Sequence, residues 1–194
     1  QDFITSVDET DLEKDEPWYR WEYNVEKADA EEMLSRIQSR YESSPESVLT
    51  RTEGGYYVSQ PIEKLGRIHG MEIVKRGAGG VADELLIEAQ TGTYKILAEY
   101  NIRSVLCDKK SEVIRQDGSV VIPTSLLPSG FFIIECSKSG ENMVGYTLVG
   151  GGYGHGVGMS QNGARALGTK GASFQDILQF YFKGCQVEKI EGTG

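Results

Sequence analysis

Residues 131–164, FFIIECSKSGENMVGYTLVGGGYGHGVGMSQNGA, read as strand, turn, strand, glycine-rich loop and helix start. Phe131, Phe132, Ile133 and Ile134 make one apolar run, Ser139-Gly140-Glu141-Asn142 supplies turn residues, and Met143 to Val149 returns. The returning strand delivers the chain into Gly150-Gly151-Gly152-Tyr153-Gly154-His155-Gly156-Val157-Gly158. Glycine loses more backbone freedom on folding than any other residue. So dense a run marks a backbone that bends unusually or that something approaches closely. Ser160 stands where an N-cap belongs, ahead of a helix over 161–167 with Gly168 as its stop. Ser173 and Asp176 form a second capping pair, opening a helix over 174–183 that ends at Gly184. Phe174, Ile177, Leu178 and Tyr181 line its apolar face.

Upstream, the pattern from Tyr56 to Glu99 is again one of strands. Met71, Ile73 and Val74 lead into Gly77-Ala78-Gly79-Gly80, Leu85 to Ile87 lead into Thr91-Gly92, and Tyr94, Ile96 and Leu97 follow. Short apolar runs between glycine turns read as an antiparallel meander. Asp29 with Glu32 marks a helix start, and Met33, Leu34, Ile37 and Tyr41 follow at helical spacing, giving a surface helix near residues 30–41 that ends before Pro45. Tyr100–Leu106 reads equally as a short helix or a turn. The expected class is α+β: antiparallel hairpins, the surface helix, and a C-terminal helix pair packed on the sheet, in a single domain over 1–194.

A net charge of −9 argues against nucleic acid, whose binding rests on basic contacts to phosphate. No apolar stretch approaches the ~18–20 residues that span a bilayer. Cys107, Cys136 and Cys185 are odd in number and widely spaced, which argues against a disulfide framework. With only His69 and His155 beside them, no zinc motif forms, and neither metal nor cofactor is expected.

The strand, loop and helix start expose backbone N–H groups at a helix N-terminus, a place suited to negative charge. A phosphate loop is excluded because Gly-x-x-x-x-Gly-Lys-Ser/Thr is absent, and Gly154-x-Gly156-x-Gly158 lacks the dinucleotide spacing. A Ser–His hydrolase would use Ser160 and His155, but Gly-x-Ser-x-Gly is missing, and Ser160 is more simply a helix cap. His155, between two glycines, is open to either a ligand contact or a structural hydrogen bond. Asp83, Glu84 and Glu88 read as a solvated strand face, and His69 as a structural residue.

Gly154-His155-Gly156-Val157-Gly158-Met159-Ser160-Gln161 with Gly163-Ala164, then Gly171 to Ser173, Ile177-Leu178 and Tyr181, resembles the stage II sporulation protein D (SpoIID/LytB) family. Ile102-Arg103 before Leu106 and the block Leu126 to Phe132 resemble its central motifs, and Phe3–Val7 with Trp18 and Trp21 the segment before them. The resemblance implies a peptidoglycan-acting, extracytoplasmic protein, anchored or secreted. Its partners would be glycan strands and other cell-wall hydrolases. Family enzymes are lytic transglycosylases that prefer strands stripped of stem peptides, and related members enhance an amidase without cutting glycan. The family's catalytic Glu lies in a helical segment near an Ala-Gln-Ala-rich motif that these 194 residues lack. The resemblance therefore expects the acid, and any zinc ligands of that region, upstream of Gln1, and neither Glu22 nor Glu88 takes its place.

The remaining residues would form one wall of a glycan cleft. His155 and Gln161 would hydrogen-bond a sugar hydroxyl or acetamido group, and Tyr153 would offer an aromatic face. Gly154, Gly156 and Gly158 would let the glycan approach, with Ser160 beside them. Arg103 and Ser129 are further candidates; their structural alternatives are an arginine paired with a nearby carboxylate and a serine capping the Pro128 turn.

Overall fold

The computed structural model describes the backbone of residues 2–188 and the side chains of residues 4–188. Phe3, which opens the N-terminal block named above, lies outside the described side chains. In chain order come helix α1 (Asp2–Thr5), strand β1 (Trp21–Val25), helix α2 (Ala30–Ser43), and strands β2 (Val48–Arg51), β3 (Tyr57–Ser59), β4 (Ile68–Arg76), β5 (Ala82–Ala89) and β6 (Gly92–Leu97). Helix α3 (Glu99–Leu106) and strands β7 (Val113–Arg115), β8 (Val120–Val121), β9 (Phe132–Ser139) and β10 (Asn142–Gly150) follow, then helices α4 (Gln161–Thr169) and α5 (Phe174–Tyr181). The fold is α+β, with antiparallel strands in two sheets. Two compact units emerge: one runs from Pro17 to Gly156 and takes in the residues before Val7, and the other joins Val7–Glu16 to the residues from Val157 onward.

The first unit holds both sheets. Sheet I has the order β8-β7-β1-β10-β9 and sheet II the order β3-β2-β6-β5-β4. The β9–β10 hairpin and the β4–β5–β6 meander form where the turn residues place them, with Gly80 and Gly140 at φ +82° and +62°, conformations that favour glycine. β1 escapes the sequence pattern because it is only five residues long, yet it alternates strictly: Trp21, Tyr23 and Val25 point inward, Glu22 and Asn24 outward.

Helix α2 is capped by Asp29, whose carboxylate accepts from the Glu31 and Glu32 amides and is thereby held below its ordinary pKa. It buries Met33, Leu34 and Ile37, each such side chain contributing about 1.5–3 kcal/mol. Tyr100–Leu106 resolves as helix, within α3, because Ile102, Val105 and Leu106 all reach the core. Two buried tyrosines tie the end of this helix to sheet I: Tyr146 donates to the Leu106 carbonyl at 2.8 Å and Tyr23 to the Asp108 carbonyl at 2.7 Å. The sheets meet along β4 and β9, where Arg76 donates to the Phe132 carbonyl at 2.8 Å.

In the second unit, α4 and α5 carry the expected caps. Ser160 Oγ accepts from the Gly163 amide at 3.1 Å, and Ser173 and Asp176 bond reciprocally. Helix α4 continues through Gly168 to Thr169; the left-handed turn that ends it belongs to Gly171, at φ +89°. Helix α5 stops at Tyr181, two residues earlier than its pattern suggests. Within this unit the Arg165 guanidinium pairs with Glu16. Among the described residues no helix is long and apolar enough to cross a membrane.

Candidate functional site

The glycine run is a loop pinned to the first unit at almost every residue up to Gly154. Strand β10 ends at Gly150, the cross-strand partner of Trp21. A Cβ there would lie 2.3 Å from Trp21 Cζ2, so only glycine lets the indole lie across the strand. Trp21 Nε1 then donates to the Gly152 carbonyl at 3.1 Å, and the Gly152 amide donates to the Trp18 carbonyl at 2.7 Å. The Gly151 amide reaches Phe131 at 3.0 Å, and the Gly154 amide reaches Pro128 at 2.9 Å. Gly152, Gly154, Gly156 and Gly158 all take positive φ, from +74° to +128°. The unusual backbone expected of the run is therefore real: every second residue turns left-handed.

Space around these glycines separates their roles. At Gly154 and Gly158 a Cβ would meet nothing within 4 Å, so conformation alone calls for glycine. At Gly156 a Cβ would fall 2.6 Å from Val81 Cγ2, so the close approach there is made by the protein itself.

Arg103 and Ser129 lie beneath the loop and are both buried. Arg103 donates from Nε and Nη2 to the Leu127 carbonyl at 3.0 and 2.9 Å, from Nη2 to the Pro128 carbonyl at 3.2 Å, and from Nη1 to Glu99 at 3.0 Å. Ser129 Oγ donates to the Gly151 carbonyl at 2.7 Å and accepts from the Phe131 amide at 3.1 Å. Their polar atoms are engaged within the protein: Ser129 Oγ with backbone, and the Arg103 guanidinium with backbone carbonyls and the Glu99 carboxylate. Pro128 O is the junction, receiving both Arg103 and the Gly154 amide. Together the two side chains position the loop.

Tyr153 and His155 are exposed on this scaffold, Tyr153 at 72%. The Tyr153 ring lies 4.9 Å from that of Trp18, at an interplanar angle of 40°. The Arg115 guanidinium sits over the same indole, 5.1 Å from its centroid. Arg115 is the cross-strand partner of Trp21 on β7, which brings it to the root of the loop. Sequence reading misses Arg115, because nothing in a three-residue strand signals its neighbour across the sheet.

Ser160, Gln161 and Gly163 belong to the second unit. Ser160 is the N-cap of α4, and Gln161, the first residue of that helix, is exposed. Gly163 is buried under the Tyr181 hydroxyl, which would lie 2.0 Å from a Cβ at that position, with Glu13 Oε1 at 2.9 Å. Burial and the Glu13 carboxylate both raise the Tyr181 pKa.

Glu84 of sheet II is set against acid chemistry. It is held below the ordinary range, chiefly by its 2.7 Å contact with Lys95, whereas a general acid needs its pKa raised. Among the described residues no group of three or more His, Cys, Asp or Glu side chains is placed to hold a metal ion.

A family model described as "Domain of unknown function (DUF8618)" matches residues 1–158, which include the whole first unit and most of the glycine run. The chain belongs to the DUF8618 family. The DUF8618 match ends at Gly158, before Ser160 and Gln161. Among curated proteins, the chain is 56% identical over 39 residues to the amidase enhancer of Bacillus subtilis (strain 168), covering 20% of this chain and 6% of that protein. It is 35% identical over 57 residues to stage II sporulation protein D of the same organism, covering 29% of this chain and 16% of that protein. The chain thus spans less than a fifth of the length of either relative.

Proposed function

We propose that this chain binds the glycan strands of peptidoglycan through its glycine loop, as part of an extracytoplasmic protein that acts on the cell wall. The observation that carries this reading is Tyr153, held open at 72% exposure on a loop whose backbone is fixed from Gly150 to Gly154. An aromatic ring with a polar tip, fixed in place, stacks on the C–H face of a pyranose and loses little entropy in doing so. His155, two residues on, hydrogen-bonds a sugar hydroxyl or acetamido group, and the loop backbone at Gly154 lies open to the strand.

The likeness to stage II sporulation protein D supports lytic transglycosylation as the activity of the whole protein. In that reaction a carboxylic acid protonates the glycosidic oxygen, the bond to the anomeric carbon breaks, and the muramic 6-hydroxyl closes on that carbon, returning its proton to the carboxylate. The acid is supplied from outside this chain in our reading. The test is direct: incubate the chain with peptide-free glycan strands and measure binding by calorimetry and product by chromatography. Binding without release of anhydro-sugar ends is expected; absence of binding overturns the reading. His155→Ala should weaken binding while leaving the thermal midpoint near that of the wild type.

The 56% identical stretch shared with the amidase enhancer favours a second reading, in which the chain stimulates a partner amidase. An increase in amidase turnover on adding the chain would support it.

A further inference from the structure

The turn between β4 and β5 reaches the glycine loop through one side chain, Val81. A Cβ on Gly130 would fall 2.8 Å from Val81 Cγ1, and a Cβ on Gly156 would fall 2.6 Å from Val81 Cγ2. Each methyl of the valine therefore rests on the bare Cα of a glycine, one next to buried Ser129 and one in the loop itself. Val81 is held firmly in its turn. Its carbonyl accepts from the Gly77 amide at 2.9 Å, and the amide of the next residue, Ala82, donates to the Gly130 carbonyl at 2.8 Å. On its other side, the Gly80 carbonyl accepts from Arg76 Nη1 at 2.9 Å. A β-branched side chain has few χ1 choices, so a fixed backbone fixes both methyls.

These contacts bracket His155. On one side the Gly154 amide ties the loop to the Pro128 carbonyl at 2.9 Å; on the other, Gly156 meets the Val81 methyl while its backbone turns left-handed at φ +74°. We infer that Val81 is a positioning residue for His155: its Cγ2 holds Gly156 and so sets the direction in which the imidazole meets a ligand. The inference rests on the glycan reading above and names the residue through which the β4–β5 turn governs that contact. Every residue involved belongs to the first unit. A ring already aimed loses less freedom on binding, and the gain is read in affinity.

The chain has two histidines, His69 and His155, so each imidazole is followed by its own NMR signals. His69 lies at the end of β4 away from the turn, with Nδ1 3.2 Å from the Glu141 carbonyl oxygen, and serves as the internal control. In Val81→Ala the His155 signals should shift while those of His69 stay in place. Val81→Thr, which keeps both γ positions filled, should restore the wild-type His155 signals. Affinity for peptide-free glycan strands should fall about three- to tenfold in Val81→Ala. In a His155→Ala background the same substitution should cost nothing further, because Val81 acts through His155. Unmoved His155 signals, a shift of both histidines, or an equal loss of affinity with and without His155 overturns the inference. Wild-type protein that leaves the strands unbound overturns the glycan reading alone, and the His155 signals then decide the positioning role. If Val81→Ala fails to fold, the wild-type methyl signals of Val81 replace it: nuclear Overhauser contacts to the Gly130 and Gly156 α protons are expected, and their absence overturns the inference.

Discussion

Trp21 lies across its cross-strand partner Gly150 so closely that a methyl group on that glycine would fall 2.3 Å from the indole Cζ2. Gly150→Ala must therefore displace an aromatic ring that is itself 2% exposed and that anchors the Gly152 carbonyl. We expect a loss of about 1–3 kcal/mol, the usual cost of overpacking. Gly154→Ala meets no atom within 4 Å and carries only the backbone penalty of φ +128°, about 1–2 kcal/mol. Urea denaturation of the two variants, with glycan binding alongside, separates crowding from conformation.

Arg103→Ala removes the donors that satisfy the Leu127 and Pro128 carbonyls. The Leu127 carbonyl, stripped of both its Arg103 donors, is left without a partner at a cost of about 1–3 kcal/mol, whereas the Pro128 carbonyl keeps the Gly154 amide. The Gly154 amide shares the Pro128 carbonyl with Arg103, so its hydrogen-exchange protection should fall more than the global stability accounts for. Arg103→Lys should recover part of the stability, because a single ammonium cannot reproduce the fork.

Alkaline pH should unfold the first unit. Burial pushes the Cys107 thiol up to about 11 from 9.0, and burial likewise raises Tyr23 and Tyr146. All three are neutral in the fold and ionise at lower pH once the chain unfolds, so unfolding releases protons. The Cys107 contribution is whole below about pH 9 and disappears as pH rises through about 11, whereas those of Tyr23 and Tyr146 begin to fall only above pH 10.0 and persist to higher pH. The thermal midpoint should be insensitive to these groups below that window and should fall within it. Cys107→Ala should make the first part of the fall shallower.

The Tyr181 hydroxyl occupies the space that a Cβ on Gly163 would need. Gly163→Ala should destabilise the second unit, and Tyr181→Phe in the same chain should restore part of the loss by removing the clashing oxygen. Ser160→Ala should cost about 1 kcal/mol through loss of the α4 cap. Proteolysis at a site introduced into α5 would report both effects.

Elements defined by neighbours in the sequence are legible from the residues themselves. The β9–β10 hairpin, the Asp29 cap and the Ser173–Asp176 pair all follow from residues within a few positions of one another. Strands β1 and β7 are not, because their partners lie far along the chain: Trp21 faces Gly150 on one side and Arg115 on the other. The site divides in the same way. Exposed Tyr153 and His155 announce themselves by their setting among glycines, and Ser160 by its place before a helix. The engagement of Arg103 with backbone carbonyls carries no sequence signature, since any residue supplies a carbonyl. Nor does the contact between Gly156 and Val81, which joins a loop to a turn across the fold.

Sheet II is woven from one continuous stretch, residues 48–97, whereas sheet I joins β1 near the start of the chain to β9 and β10 late in it. Loop closure is slower and costlier for distant partners, so the hairpins of sheet II assemble ahead of the pairing of β1 with β10. During synthesis β7 comes to hand first for one edge of β1, while the other edge waits until β10 has been made. The loop that displays Tyr153 gains its shape in this last step. A substitution that delays it would lengthen the time for which an aromatic strand stands open to pairing with another chain, and so lower the yield of folded protein even where the final stability is unchanged.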